Sequence, residues 1–306
     1  MPDRRLQSAL CLILATLAVS GCTPAPRAQV DISVHEAGLV DVYRARSFFL
    51  LRGRVNGSEP LLLLADTGSE TTVIDSAAAR RLGLPVRRRG AYRAIGAGGK
   101  TIETDGRAIL GSLELGPLRA TDLPVAIIDL AAISRVLGTR LDGLVGWDVL
   151  RTAVVTFETS DGSVRIDRPT DGPNEGRPAT PRVPEAAATF EDRGIPVGQV
   201  VLPGGRLLPV VIDTGSDGVL AVSQLDPLPL AGPPRTAGMA HALGGMTQVT
   251  AARLDGDIRF AGATVRAPVI ETTLGLPRVG VGMIEGGVLT IDGPRRRVSL
   301  EFPAVR

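Results

Sequence analysis

The chain contains few of the residues from which disulfide-bonded and metal-binding proteins are built. Two cysteines and two histidines occur among its 306 residues. Cys11 lies in an N-terminal run that is typical of an export signal, so Cys22 has no partner for an internal disulfide. His35 and His241 have no ligand-like neighbours in the sequence. We therefore expect a fold that packing alone stabilises, and a function that uses no metal and no other cofactor.

Aromatic side chains and net charge are also scarce. Aromatics make up 3% of the chain, which leaves few rings for stacking on single-stranded nucleic acid. The formal net charge is +2, so the sequence predicts no nucleic-acid partner. Hydrophobic residues make up 44% and charged residues 22%, and the 37 glycines and 23 prolines suit a globular β protein with many turns. This length is sufficient for two domains, each with its own core.

The N-terminus resembles the signal of a bacterial lipoprotein. Two arginines precede the apolar run Leu10 to Val19, which is too short for a typical transmembrane helix. The following Val19 to Cys22 resembles a site at which the peptide is cleaved before a lipidated cysteine; the alternative is an ordinary secretory signal with a chance cysteine. Thr23, rather than an aspartate, follows Cys22, which favours the outer membrane in such lipoproteins.

From this pattern we predict a signal peptide at residues 1–22, lipidation at Cys22 and a tether at residues 23–44. The protein would then be held by its N-terminal lipid on the periplasmic side of the bacterial outer membrane.

The sequence Asp-Thr-Gly-Ser occurs twice, at residues 66–69 and 213–216. At ordinary residue frequencies a given tetrapeptide is expected only roughly a few times in a thousand chains of this length. Each copy follows an apolar run, Leu61 to Ala65 and Val210 to Ile212. A single copy would be compatible with a simple Asx turn at the end of a strand. Two copies indicate a duplicated domain that delivers two carboxylates from equivalent turns, as an acid–base pair requires.

Further features recur in the same order in both halves. A hairpin turn precedes each Asp-Thr-Gly-Ser sequence, at Val55 to Gly57 and at Pro203 to Gly205. A glycine-rich hairpin tip and an apolar pair closed by glycine follow each one. These later features are Ile95 to Gly99 and Leu144 to Gly146 in the first half, and Leu243 to Gly245 and Val281-Gly282, with Val279-Gly280, in the second. The second tip is equally consistent with a plain surface hairpin.

A proline-rich stretch separates the two halves. Five prolines between Pro169 and Pro184 exclude a regular helix or a central strand there. We therefore predict a linker at residues 169–190, between an N-terminal lobe at residues 45–168 and a C-terminal lobe at residues 191–306. Since one chain carries both copies of the unit, we expect it to work as a monomer.

These motifs resemble those of the aspartic proteases of the retropepsin and pepsin type. The resemblance covers about residues 45–168 and 190–303, and Asp142 to Leu150 is especially similar to the bacterial retropepsin-like members. It implies an all-β fold in which two similar closed-barrel-like lobes, related by a pseudo-twofold axis, face each other across a substrate cleft. The second half lacks the Asp-x-Leu tail found at Asp148 to Leu150, and neither hairpin tip carries the tyrosine typical of pepsin.

The resemblance also implies roles for individual residues. Asp66 and Asp213 form the catalytic pair, share one proton and activate the water that cleaves a protein or peptide substrate. The glycines allow a tight turn, the threonines bond to the opposite loop, and the serines donate to the carboxylates. These supporting residues are Thr67, Gly68, Ser69, Thr214, Gly215 and Ser216. The flap that closes over the substrate consists of Ile95, Gly96, Ala97, Gly98 and Gly99.

Three functional hypotheses follow. The first is an aspartic endopeptidase of the bacterial envelope. The second is a non-catalytic peptide-binding lipoprotein that keeps the fold, although such a protein has no need of both aspartates. The third is an obligate dimer that pairs like lobes from two chains, which the linker and the paired motifs disfavour.

Overall fold

The computed structural model describes residues 14–15, 30–35, 37–88, 93–96, 101–169, 187–225, 227–243 and 245–303. These residues form mostly β-strands, and the predicted all-β fold with two lobes is confirmed. The strands of the first half are β1 (Leu14–Ala15), β2 (Asp31–Val34), β3 (Gly38–Val40), β4 (Val42–Ala45), β5 (Phe48–Val55), β6 (Leu61–Ala65), β7 (Val73–Asp75), β8 (Arg93–Gly96), β9 (Thr101–Glu103), β10 (Gly106–Leu115), β11 (Leu118–Ile128), β12 (Gly143–Val145), β13 (Val154–Glu158) and β14 (Val164–Asp167).

The second half also consists mostly of β-strands. Its strands are β15 (Ala188–Thr189), β16 (Glu191–Asp192), β17 (Pro196–Val201), β18 (Leu207–Ile212), β19 (Leu220–Val222), β20 (Arg235–Ala242), β21 (Gly245–Arg253), β22 (Ile258–Phe260), β23 (Ala263–Val265), β24 (Val269–Thr272), β25 (Arg278–Val279), β26 (Val288–Asp292) and β27 (Arg297–Glu301). The helices are α1 (Ser76–Arg81), α2 (Ala131–Leu137) and α3 (Trp147–Leu150), with 3₁₀ turns at Pro203–Gly205 and Val281–Ile284.

The first lobe is built on a sheet that closes on itself. Its strand order is β10-β11-β7-β12-β6-β5-β4, and β10 pairs with β5 as well as with β11. The hairpin from β5 to β6 turns at Asn56 and Gly57, whose φ angles of 49° and 72° fit a primed turn. β6 is an interior strand between β5 and β12, and its side chains are buried on both faces of the sheet, with Leu62 half-buried.

The second lobe has a matching centre. Its ten-stranded sheet has the order β20-β21-β24-β19-β25-β18-β17-β22-β23 with β16 paired to β17. β18 runs parallel to β25, as β6 runs parallel to β12 in the first lobe. β25 also pairs antiparallel with β19, as β12 pairs with β7. The two lobes therefore present the ends of β6 and β18 in equivalent settings.

A six-stranded sheet joins the lobes. The sequence motifs do not predict this sheet. Its order is β15-β27-β26-β13-β14-β3, so three strands of the second half continue into three strands of the first half in one hydrogen-bonded layer. β13 and β26 form the junction, where Thr156 Oγ1 and Thr290 Oγ1 lie 3.2 Å apart. This shared layer stabilises the position of one lobe against the other.

The predicted tether extends too far. Residues 23–44 were expected to lack structure, yet β2 pairs with β11, β3 with β14, and β4 with β5. The reason is that each of these strands ends on a buried apolar residue, Val34 in β2, Val40 in β3 and Ala45 in β4, which packs in the core. Much of the predicted linker and Cys22 lie outside the described residues.

Two findings concern the rest of the N-terminal segment. β1 pairs antiparallel with β8, with Leu14 opposite Gly96. Within the described ranges, the helices are all too short or too polar to cross a membrane.

Candidate active site

Asp66 and Asp213 stand immediately after the central strands β6 and β18. The backbone N–H of Asp66 donates to Val145 O at 3.0 Å, and that of Asp213 donates to Val279 O at 2.9 Å. Both carboxyl groups are buried. Each aspartate is therefore held by the strand that crosses beside it, and the two turns have the same construction.

The two carboxyl groups meet across the glycines of the turns. A methyl group at Gly68 would lie 2.5 Å from Cγ of Asp213, and one at Gly215 would lie 2.5 Å from Cγ of Asp66. The N–H of each glycine donates to Oδ1 of the aspartate in its own turn at 3.0 Å. Neither glycine has a positive φ. The glycines are thus required by the approach of the opposite carboxylate, rather than by the tight turn that the sequence suggested.

The threonines fasten one turn to the other. Thr67 Oγ1 donates to Ile212 O at 2.6 Å, and Thr214 Oγ1 donates to Ala65 O at 2.8 Å. The backbone N–H of each threonine donates to the hydroxyl oxygen of the other, at 3.1 and 3.0 Å. This buried, reciprocal set of bonds fixes the distance between the two carboxyl groups.

The electrostatics of the pair favour a single shared proton. Burial raises the pKa of Asp66 well above its ordinary value, and the neighbouring charge of Asp213 raises it further. Burial raises the pKa of Asp213 to about 6, against the opposing effects of Arg278 and the Gly215 N–H. Among the described groups, neither Oδ2 atom of the pair has a hydrogen-bonding partner. The pair can therefore act as one acid and one base at mildly acidic pH.

Ser69 does not make the contact expected of it. Its hydroxyl donates to Thr71 O at 2.8 Å instead of to the carboxylate of Asp66. The carbonyl two residues away is within reach in the local turn, and one hydroxyl has only one proton to donate. Ser216 is buried at the equivalent place.

Replacing Ser69 by alanine should therefore leave the pH profile of the pair unchanged. The variant should instead lose about 1 kcal/mol of stability, since the Thr71 carbonyl loses a buried donor. The check is kcat/KM across pH together with denaturant unfolding of the same protein. A shift of the acidic limb to higher pH would mean that the hydroxyl bonds to the carboxylate after all.

Of the two glycine elements predicted in the second lobe, Val279-Gly280 is the one that matches the first lobe. Trp147 N donates to Ser69 O and Val281 N donates to Ser216 O, each at 2.7 Å. The residue that corresponds to Gly146 is therefore Gly280. Val281-Gly282 follows it in the chain and begins the 3₁₀ turn Val281–Ile284. The apolar pair of the first lobe, Leu144 and Val145, is matched by Arg278 and Val279.

Asp148 ties the glycine element of the first lobe to the catalytic loop. Its carboxylate accepts from Thr72 N at 3.0 Å and from Thr72 Oγ1 at 2.8 Å, and Thr72 Oγ1 accepts from Gly146 N at 3.1 Å. Burial raises the pKa of Asp148 to about 6. The second lobe keeps its helical turn at Val281–Ile284 with Gly282 in the place of this aspartate.

A hairpin accompanies each turn. β8 and β9 pair at the predicted flap, where Ile95 lies opposite Thr101; Ile95 and Gly96 belong to β8, whereas Ala97, Gly98 and Gly99 lie outside the described residues. In the second lobe β20 and β21 form a longer hairpin, and β20 contacts α2 of the first lobe. The second glycine-rich tip therefore belongs to a hairpin that reaches the opposite lobe.

Known proteins are similar to parts of this chain. Residues 51–149 match the model of a family described as aspartyl protease. A search of curated proteins finds no match. Among solved structures, the chain is similar to a retropepsin-like aspartic protease from Rickettsia conorii, with 13% identity and a TM-score of 0.30 over 46% of this chain and 94% of that one. The match at residues 51–149 supports the family predicted from the sequence.

Proposed function

We propose that the protein is an aspartic endopeptidase that hydrolyses peptide bonds with a water activated between Asp66 and Asp213. The observation that supports this most is the mutual approach of the two buried carboxyl groups, each placed over the glycine of the opposite turn. Two carboxyl groups so close together share one proton, which provides a base and an acid in one site.

The reaction follows from that arrangement. The ionised member takes a proton from a water molecule between the carboxyl groups, while the protonated member donates a hydrogen bond to the carbonyl of the peptide bond. Attack gives a neutral gem-diol. Proton transfer to the nitrogen then allows the carbon–nitrogen bond to break, and the pair returns to its singly protonated form. The residues involved form no covalent bond to the substrate.

One chain should suffice for this activity, because both turns and their reciprocal threonine bonds belong to it. The test is to incubate the purified protein with a peptide library over a range of pH and to sequence the products. Activity per molecule should stay constant on dilution. A specific activity that falls as the protein is diluted would support the dimeric alternative, and an absence of products at every pH would support the peptide-binding alternative.

The proposed location is the periplasmic side of the outer membrane, with Cys22 as the lipidated residue. The short apolar run Leu10 to Val19 followed by Val19 to Cys22 supports it. Cys22→Ser should move the protein out of the membrane fraction, whereas the matched variant Cys11→Ser should leave it there. Retention of the Cys22→Ser protein in the membrane fraction would contradict the lipid anchor.

A further inference from the structure

The second lobe carries a buried arginine beside its catalytic turn. Arg278 has a relative exposure of 2% and lies in β25. It pairs with Val211 on one side and with Ala221 on the other. Paired residues of adjacent strands share a face of the sheet, so Arg278 stands on the same face as Val211, two residues before Asp213.

The first lobe has an apolar residue at this position. Leu144 pairs with Leu64, two residues before Asp66, and with Val73 on the neighbouring strand. Leu144 and Arg278 are therefore equivalent under the relation between the lobes. The two turns are built from the same reciprocal bonds, but their surroundings differ in charge. Arg278 takes the place of Leu144, and Gly282 takes the place of Asp148.

The arginine is anchored by backbone carbonyls. Its Nη2 donates to Leu274 O and to Leu276 O, each at 3.2 Å. An arginine side chain keeps its positive charge at every pH at which proteins are folded. Burying such a charge is costly unless it is paired with acceptors or with an opposite charge nearby. The carbonyls hold the guanidinium in one place in the protein interior.

That charge acts on one member of the pair. Arg278 lowers the pKa of Asp213 against the effect of burial, whereas burial raises the pKa of Asp66. The repulsion between the two carboxylates is mutual and does not distinguish them. Arg278 lies in the strand that bonds to Asp213. The N–H of Asp213 bonds to the carbonyl of Val279, the residue that follows Arg278.

We propose that Arg278 is a positioning residue that places the negative charge of the catalytic pair on Asp213 and the shared proton on Asp66. If the proposed protease function holds, Asp213 is then the base that accepts the proton of the water, and Asp66 is the acid that bonds to the carbonyl. The proton assignment itself does not depend on that function.

Other ionisable groups lie near Arg278 and the second turn. Asp217 follows the second turn, and its backbone carbonyl accepts from Gly282 N. Glu271 in β24 lies on the other side of Ala221, on the same face as Arg278. Burial raises the pKa of Glu271, so its charge is reduced at acidic pH. A test of the proposal must therefore compare Asp66 and Asp213 directly, with these neighbours unchanged.

The test is an NMR titration of the full-length protein labelled with ¹³C at the aspartate carboxyl carbon. In Asp66→Asn the remaining Asp213 should have a pKa at least about one unit below that of the remaining Asp66 in Asp213→Asn. The reason is that Arg278 lies beside Asp213, whereas Leu144 takes its place beside Asp66. The double asparagine variant identifies each signal by its absence. An Asp66 that titrates at or below Asp213 would overturn the proposal.

The role of Arg278 is tested in the same two backgrounds. Arg278→Leu gives the second lobe the leucine that the first lobe has at this position. It should reduce the difference between the pKa values of Asp66 and Asp213 to less than about half a unit, whereas Arg278→Lys should retain most of that difference. A difference that persists in full with leucine would overturn the proposal. Should the leucine variant not fold, the comparison with Arg278 intact still decides the proton position.

The pH dependence of kcat/KM is a second measurement. Replacing a residue with a purely structural role would not shift it. Loss of the cation raises the pH at which the pair loses its first proton, so Arg278→Leu should move the acidic limb of kcat/KM upward by about one pH unit. Arg278→Lys should restore most of the wild-type profile. An unshifted limb would count against the proposal. A protein that titrates as expected but cleaves no peptide would contradict the proposed function instead.

Discussion

Replacing either Asp66 or Asp213 by asparagine should reduce peptide-bond cleavage by at least about a thousandfold. Asparagine keeps the shape of the side chain but can neither hold the shared proton nor carry the negative charge. The double variant should be no less active than either single variant, because the two groups act as one unit. The measurement is kcat/KM for a peptide that the wild-type protein cleaves, at the pH of its maximum.

The matched control is Asp122→Asn. Asp122 is exposed and has a φ of 52°, a conformation that asparagine also tolerates. This variant should retain wild-type turnover. The two active-site variants should also unfold at no lower temperature than the wild type, since each removes a buried carboxyl group from a crowded pair. Turnover near the wild-type value in either Asp66→Asn or Asp213→Asn would refute the protease mechanism.

The parts of the fold with local signals could be predicted from the sequence. The apolar run Leu61 to Ala65 predicts β6 with its observed bounds, and Asn56-Gly57 predicts the turn between β5 and β6. The two Asp-Thr-Gly-Ser sequences predict that two carboxyl groups come together, because the motif and its preceding strand are repeated as a unit. In each case neighbouring residues in the chain determine the structure.

The parts that depend on distant residues could not be predicted in this way. The shared sheet pairs β13 with β26, and the hydroxyls that meet there belong to residues 134 positions apart. Its register follows from how the lobes pack, which no local pattern encodes. Arg278 could not be predicted for a related reason. The local signal of this element is an apolar pair before glycine, and a charged residue in that position does not fit it.

A second large effect is expected from Gly68→Ala. The added methyl group would lie 2.5 Å from Cγ of Asp213 and 2.6 Å from its Oδ1, so the carboxyl group or the turn must move. The reciprocal threonine bonds resist movement of the turn, and the carboxyl group is therefore displaced. A displacement of roughly 1 Å in a catalytic group can cost on the order of a hundredfold in rate. Gly215→Ala should have the same effect through Asp66, since its methyl group would lie 2.5 Å from the Asp66 Cγ.

The control for this prediction is Gly232→Ala, where an added methyl group meets nothing within 4 Å. It should retain both the turnover and the unfolding temperature of the wild type. The measurement is kcat for all three variants, with circular dichroism to show that each is folded. Because neither Gly68 nor Gly215 has a positive φ, alanine brings no backbone strain at these positions, and the loss reports the crowding of the carboxyl groups alone. A folded Gly68→Ala protein with wild-type kcat would mean that the two carboxyl groups do not approach as closely in the working enzyme as they do in this structure.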